Sequence, residues 1–433
     1  MSESKITPSA VQALLDHRTP TLSAAELRSF VHRFVEDRQR YLAPLSQHAS
    51  PLYLFDGDAL TTRAHELRDA FTAAGLEVGC FFAMKSNNHP AVAQTLAEIG
   101  YGLDVSSGLE LETALGTSAR EIVFSGPGKT EPELQLAVRN AARVTVLVDS
   151  FSELERLDRM AAAEATRVSV GVRLTTTPTG LWRKFGIGLD ELPDFWERSR
   201  RAAGIRFAGV QFHASWNLDP AAQVELIQRL GEALGRAPEG LIRAIRFIDI
   251  GGGYWPADGE WLQHAATPEG KLLAALGETT ARPLTHYRLP ATPIREFAAR
   301  IGSAVDRHLR PILRCRICVE PGRFVCHEAM HLLITVVDQK GPDLVITDAG
   351  TNAVGWERFE SDYFPVINLT RPAAEERPCH VLGSLCTPHD VWGYAYFGAD
   401  LRVGDVLLLP NQGAYTYSLR QHFIKPLPAV VKI

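Results

Sequence analysis

From residue 78 to residue 319 the sequence keeps one rhythm. Short apolar runs occur at Val78–Met84, Gly102–Val105, Ile122–Ser125, Val144–Val148, Val168–Leu174, Ala208–Phe212, Phe247–Ile250 and Ile317–Val319. Stretches of helical composition, such as His89–Ile99, Glu131–Ala142 and Phe151–Ala163, separate most of them. Strand-like runs that alternate with helical crossovers demand a parallel sheet, and eight of them make the pattern of a (β/α)8 barrel.

The flanks differ. Ser23-Ala-Ala-Glu26 is a capping box, and Phe30, Phe34 and Tyr41 follow it at helical spacing. After Arg323 the rhythm stops. Leu332–Val337, Leu344–Ile346, Val366–Leu369, His380–Leu382, Val406–Leu409 and Val430–Ile433 read as short strands with turn residues between them. The expected organisation is an N-terminal helix and strand over residues 1–57 that pack with the β domain. A barrel over 58–325 follows, then a mainly β domain over 326–433. Two barrel connections are long: Thr175–Phe185, with Pro178 and Gly180, and Tyr254–Pro293. Long βα loops on a barrel tend to be functional.

Bulk properties exclude several classes. A chain of 433 residues is long enough for two or more domains and a large core. A net charge of -5 gives no reason to expect nucleic acid or an anionic membrane as partner. No apolar run approaches the roughly 18 residues of a membrane span. The N-terminal residues lack the basic and apolar regions of a signal peptide. Six cysteines in so long a chain do not form a disulfide framework. The CxxC spacing of Cys315 and Cys318 lies in an apolar strand with no second pair, so these read as core thiols and no metal site is expected. A reducing cytoplasm fits this composition.

Catalytic residues of such barrels gather at the C-terminal ends of the strands. Here those ends carry Lys85, then Asp104 and Ser106, then His213, then Gly251-Gly252-Gly253, and finally Glu320 and Arg323. Each has an ordinary reading alone. Lys85 can be a structural lysine that reaches solvent, or an amine made nucleophilic by desolvation. A glycine triplet is usually a turn, and a lone histidine is usually a satisfied core residue. Together on one rim they fit pyridoxal phosphate (PLP). Glycine backbone N–H groups can approach its phosphate, and Arg323 can add charge-assisted bonds. Glu320 can hold the pyridine nitrogen protonated, so the ring draws electrons. His213 can stack on the ring face, and Lys85 can hold the aldehyde.

Ten segments in order resemble the alanine racemase-like, fold type III PLP enzymes, and within them the diaminopimelate, ornithine and arginine decarboxylases. They are Ala-Met-Lys85-Ser-Asn, Asp104-Val-Ser-Ser-Gly-Leu-Glu-Leu, Phe-Ser-Gly-Pro-Gly-Lys129, Val-Asp149-Ser, Lys184-Phe-Gly, His213-Ala-Ser215, Asp249-Ile-Gly-Gly-Gly, Glu320-Pro-Gly-Arg323, Cys386-Thr-Pro-His-Asp390 and Gly413-Ala-Tyr415. The resemblance runs from about Pro51 to Phe423. It implies that Lys85 binds the cofactor aldehyde, Glu320 faces the pyridine nitrogen and His213 packs on the ring, with Asp104 also beside the cofactor. Ser215, Gly252, Gly253, Arg323 and Tyr415 are implied phosphate contacts. It further implies a head-to-tail homodimer with shared sites, to which Cys386 and Asp390 come from the other subunit. Cys386 would return the proton after carbon dioxide leaves; its ordinary reading is a buried thiol of the β domain.

The departures bear on substrate. Diamine-forming members carry Asp or Glu after the cysteine, where this chain has Thr387. A hydroxyl cannot form an ion pair with a distal ammonium. The expected activity is therefore α-decarboxylation of an amino acid, free or carrier-tethered, other than a simple basic diamino acid. Thr387 and Asp390 are expected to touch substrate. Arg183 either binds a substrate carboxylate or faces solvent. A racemase or epimerase on the same fold is the alternative, although Glu320 at the pyridine nitrogen favours decarboxylation. A non-catalytic PLP-binding homologue is the third reading.

Overall fold

In the computed structural model, residues 19–177, 179–277, 284–355 and 361–433 are described. Pro178, which the sequence marks in the first long loop, lies outside them, as do residues 1–18 of the N-terminal region and 278–283 of the second long loop. Strand β1 (Leu52–Phe55) precedes a closed parallel barrel. The barrel strands are β2 (Val78–Ala83), β3 (Gly102–Val105), β4 (Ile122–Phe124), β5 (Val144–Val148), β6 (Val168–Leu174), β7 (Ile205–Phe212) and β8 (Phe247–Asp249). A hairpin, β9 (Glu260–Leu262) with β10 (Tyr287–Leu289), interrupts the rhythm before β11 (Arg316–Val319) closes the ring against β2 and β8. All eight expected barrel strands are present, in chain order around the ring.

The crossovers form because local signals agree. Ser150 caps the helix Phe151–Ala163 by accepting from the Glu153 N–H at 3.1 Å, and Leu154, Leu157 and Ala161 are buried at the spacing of one face. Thr130 and Glu133 build a second capping box in front of Glu131–Arg139. Parallel strands covered by helices are buried on both faces, which is why they read as unbroken apolar runs. Arg173 stands out among them, a buried cation inside the apolar β6.

Later strands are β12 (Met330–Gln339), β13 (Leu344–Thr347), β14 (Ile367–Asn368), β15 (Glu376–Leu382), β16 (Val391–Phe397), β17 (Val406–Leu409) and β18 (Ala429–Lys432). With β1 they form a sheet in the order β13-β15-β16-β14-β17-β12-β1-β18, and β12 also pairs with β13. The capping box at Ser23 is present: the Ser23 N–H donates to Glu26 Oε2 at 3.1 Å, and the Glu26 N–H donates to Ser23 Oγ at 3.2 Å. The helix it opens, Ala24–Glu36, stops where Asp37 leaves helical geometry, and a short helix Arg38–Leu42 follows. Phe30, Phe34 and Tyr41 bury against Leu52, Leu54, Leu333 and Leu408. Each such side chain contributes about 1.5–3 kcal/mol by leaving water.

The chain divides into two units. The barrel unit comprises Gly57–Ala257 and Thr292–His327, and the β-rich unit comprises Met1–Asp56, Asp258–Ala291 and Glu328–Ile433. This corrects one expectation. The long insertion, placed by sequence inside a continuous 58–325 barrel, belongs mostly to the β-rich unit. The reason is local bonding. Tyr287 bridges to Thr21, Leu262 bridges to Asp362, and His286 Nε2 lies 2.8 Å from Glu376 and stacks on Tyr363 at 3.5 Å.

Candidate active site

The C-terminal end of the barrel collects the expected residues. Lys85 follows β2 in a single turn, Met84–Ser86, and its Nζ lies 3.4 Å from Asp104 Oδ2 at the end of β3. Asp104 is fully buried, and its Oδ1 accepts from Ser125 Oγ at 2.5 Å. Burial and the nearby Glu320 push the Asp104 carboxyl up to about 7, against the pull of Lys85 and Ser125.

Glu320 follows β11 and is also buried. Gln211 Nε2 donates to its Oε1 at 3.2 Å, and His213 Nδ1 lies 3.4 Å from its Oε2. Burial alone would raise this carboxyl. The His213 hydrogen bond and the charges of Lys85 and Arg173 outweigh it and hold Glu320 below the usual range. His213 moves the other way: burial lowers it, so the ring is neutral. Its Nδ1 also lies 3.2 Å from the Gly252 N–H. One ring nitrogen cannot both accept from Gly252 and donate to Glu320. Beside an ionised carboxylate the proton on Nδ1 is favoured, and we assign that tautomer from the charge. It fits both directions, a neutral ring against an anionic carboxylate.

The glycine triplet after β8 is pinned on every side. Gly251 and Gly253 have φ of +70° and +90°, values that favour glycine. A Cβ on Gly251 would stand 2.8 Å from His213 Nδ1, and one on Gly252 would collide with the Glu320 carbonyl oxygen. Asn217 holds the turn from the side: its Nδ2 donates to Ala214 O and Gly252 O, both at 3.0 Å. Asp249 Oδ1 accepts the Gly251 N–H at 2.9 Å. Arg323 lies with its guanidinium over the Trp255 ring at 4.2 Å and Trp216 at 5.7 Å, which fixes the plane of a group suited to phosphate. Ser215 is exposed two residues beyond His213.

Lys85, Asp104, His213, Gly252 and Glu320 are thus brought together. Arg183 sits in the short turn Gly180–Lys184 after β6, with its side chain exposed. Cys386, Thr387, Asp390 and Tyr415 belong to the β-rich unit. Cys386 is a free, exposed thiol in the turn between β15 and β16. Thr387 Oγ1 accepts from the His389 N–H at 3.4 Å. Tyr415 has a φ of +57°.

Asp390 is a correction. Sequence places it on substrate, but its carboxylate is buried, and its oxygens accept from the Thr351 N–H at 2.7 Å and the Leu385 N–H at 2.6 Å. It organises the turn that carries Cys386.

Sequence reasoning missed Gln211, Ser125, Arg173 and Asn217. Two signals were available. Gln211 and His213 are two apart at the end of β7, a spacing that puts two side chains on one face. Arg173 is a charge inside a buried run, which is rare without a purpose.

An amine next to a carboxyl of raised pKa, an ionised carboxylate near that amine and a glycine cradle for an anion suit one cofactor. The arrangement defines a barrel-type pyridoxal phosphate enzyme. The residues present fit the group: a side chain on any of the three glycines would fill the cradle, and Glu320 is held in the charge state that a protonated pyridine needs.

The family model for the pyridoxal-dependent decarboxylase, pyridoxal binding domain, matches residues 58–327. The chain belongs to the pyridoxal-dependent decarboxylase family, and it is a PLP-dependent decarboxylase with the alanine racemase-like architecture. Similar proteins include the diaminopimelate decarboxylase of Methanothermobacter thermautotrophicus, 28% identical over 406 residues, covering 89% of this chain and 87% of that one. The L-glutamyl-(BtrI acyl-carrier protein) decarboxylase of Niallia circulans is 24% identical over 414 residues, covering 90% and 89%. Among solved structures, the diaminopimelate decarboxylase of M. jannaschii superposes with a TM-score of 0.75 at 22% identity, covering 90% of this chain and 88% of that one. No helix of the described residues is long and apolar enough to cross a membrane.

Proposed function

We propose that this enzyme removes the α-carboxylate of an amino acid or amino-acyl conjugate other than a simple basic diamino acid. The observation that carries the reaction is the ionised Glu320 among His213, Gln211 and Lys85. The observation behind the substrate class is Thr387, a hydroxyl where a partner for a distal ammonium would need a carboxylate. The Niallia circulans relative, named for a carrier-bound glutamyl substrate, supports that reading. The diaminopimelate decarboxylases among the relatives favour a dicarboxylic diamino acid as the second reading.

Bound pyridoxal phosphate supplies an electron-withdrawing ring that takes up the electron pair left by departing carbon dioxide. Lys85 would supply the amine that holds the cofactor aldehyde. Glu320 keeps the proton on the pyridine nitrogen, and Gln211 and His213 hold Glu320 in place. His213 would pack on the cofactor ring, and Asp104 sits beside the Lys85 amine. Gly252, Gly253, Ser215, Arg323 and Tyr415 bind phosphate. Arg183 takes a substrate carboxylate, and Thr387 faces the substrate side chain. Cys386 delivers the proton that replaces the carboxylate. A homodimer that brings the β-rich unit of one subunit to the barrel of its partner supplies Cys386 and Thr387.

Carbon dioxide release from amino acids and amino-acyl conjugates tests the reading. Release is expected in the native enzyme and lost in Lys85→Ala, together with the visible absorbance of the bound cofactor. If no amino acid or conjugate yields carbon dioxide, or if diaminopimelate, lysine or ornithine is the best substrate, the proposal fails.

A further inference from the structure

The opposite, N-terminal end of the barrel holds a cavity of about 650 Å3. Arginines from five different strands or strand entries border it: Arg120, Arg143, Arg206, Arg246 and Arg316. The carboxylate of Glu121 also borders it. Two of the five are committed to the fold. Arg143 donates to the carbonyls of Leu115, Thr117 and Ala119, and Arg316 Nη1 donates to both Glu121 carboxylate oxygens, at 2.7 and 2.9 Å. The other three are exposed, and their guanidinium groups have no ion pair or side-chain hydrogen bond among the described residues. Three unpaired guanidinium groups around one opening repel one another unless an anion joins them.

The walls are apolar, with Phe81, Phe207 and Phe247 among them. Phe247 reaches into the barrel because Gly171 and Gly209 face it; a Cβ there would come within 2.8 and 2.7 Å of its ring. Deeper in, the lining turns polar, with Thr145, Ser169 and Asp249. Asp249 is almost wholly buried, and its Oδ2 has no hydrogen-bond partner. A buried polar atom left open at the floor of a cavity is the mark of a missing donor or acceptor. Burial and the neighbouring Glu320 raise this carboxyl well above its ordinary value.

We infer that this cavity is a second ligand site, which takes a small anion, a phosphate or a carboxylate, carried on a compact apolar body. Arg120, Arg206 and Arg246 would bind the anion, and the phenylalanine walls would bind the body. Nothing in the decarboxylation chemistry uses this end of the barrel. Asp249 connects the two ends, since its other oxygen accepts the Gly251 N–H of the glycine cradle.

The test uses PLP-saturated holoenzyme, so that the cofactor's own phosphate site is filled. Phenyl phosphate, phenylacetate and inorganic phosphate are titrated separately by calorimetry. Saturable binding of phenyl phosphate or phenylacetate is expected, roughly tenfold tighter than inorganic phosphate, and the stronger of the two identifies the anion. Arg206→Gln with Arg246→Gln should weaken it by roughly tenfold or more, with basal decarboxylation unchanged, because these exposed side chains touch no group used in catalysis. Absence of saturable binding by both aryl anions overturns the inference, as does equal binding by the double variant. Equal affinity for inorganic phosphate overturns the apolar half of the site.

Discussion

Asp390→Asn separates two roles for one buried carboxylate. In the native turn Oδ1 accepts from Thr351 and Oδ2 from Leu385, at 2.7 and 2.6 Å, and Gly383 leaves the room for the carboxylate to lie against the backbone. A hydrogen bond to a charged group contributes about 1.5–3 kcal/mol, and an unsatisfied buried donor costs about 1–3 kcal/mol. Asparagine keeps one acceptor and turns an NH2 group towards the second N–H. One charge-assisted bond becomes neutral and the other becomes a donor–donor clash, so the expected loss is about 2–4 kcal/mol. Urea unfolding followed by near-ultraviolet circular dichroism measures it as a lower midpoint. Catalysis should fall mainly in kcat, because the turn holding Cys386 loses its anchor. The reasoning is refuted if the midpoint is unchanged and KM alone rises, since that is the signature of a substrate ligand.

Three further outcomes are expected. Lys129, buried with its Nζ bonded to Glu153 at 2.8 Å and to the carbonyls of Gly126 and Leu147 at 2.7 Å, should cost about 3–5 kcal/mol as Lys129→Met, while Lys129→Met with Glu153→Leu recovers part of that in the same unfolding assay. His331, buried and lowered to about 4, stays neutral in the fold while the unfolded chain takes up a proton below about 6.5. Stability is therefore lost as pH falls from about 6.5 towards 4, by about 3 kcal/mol in all, and His331→Gln should remove that part of the slope in unfolding measured across the range. Gly252→Ala should raise the PLP concentration needed to fill the site by roughly tenfold, read by absorbance titration, because a Cβ there displaces the Glu320 carbonyl or the cradle itself.

The barrel was legible because each of its strands is buried on both faces and each crossover carries its own caps. Phe151–Ala163 begins and ends where its composition says it should. The β-rich unit was less legible. Its strands lie far apart in sequence, β1 with β12 and β18 for example, and no local period records such pairing. β16, Val-Trp-Gly-Tyr-Ala-Tyr-Phe, went unread because Gly393 interrupts it and its alternation is aromatic throughout. The insertion joined the β-rich unit through His286, Glu376 and Tyr363, a network of single residues with no pattern in the chain. In the site, the strand ends marked Lys85, His213 and Glu320 correctly as neighbours. The supporting layer of Gln211, Ser125 and Asn217 was invisible, because uncharged polar residues in apolar strands have too many ordinary uses.

Charge state is the level that sequence could not reach at all. Asp104, Asp249 and Glu320 are all acids at barrel strand ends, and all three are almost wholly buried. Sequence points to Glu320 for the pyridine nitrogen, but it does not say how the three acids divide their charge. Their surroundings divide them. Asp249 has one backbone N–H and a second oxygen without a partner, and burial raises it well above the ordinary range. Asp104 has a serine and a lysine amine 3.4 Å away, and it still rises to about 7. Glu320 has Gln211 and His213 within hydrogen-bonding reach together with the charges of Lys85 and Arg173, and of the three acids it is the one that is lowered. Three like charges so close cannot all ionise, and the fold settles the contest by where it spends its donors. Burial and the neighbouring Glu320 raise Asp104 and Asp249, while the His213 hydrogen bond and the charges of Lys85 and Arg173 hold Glu320 below its usual range.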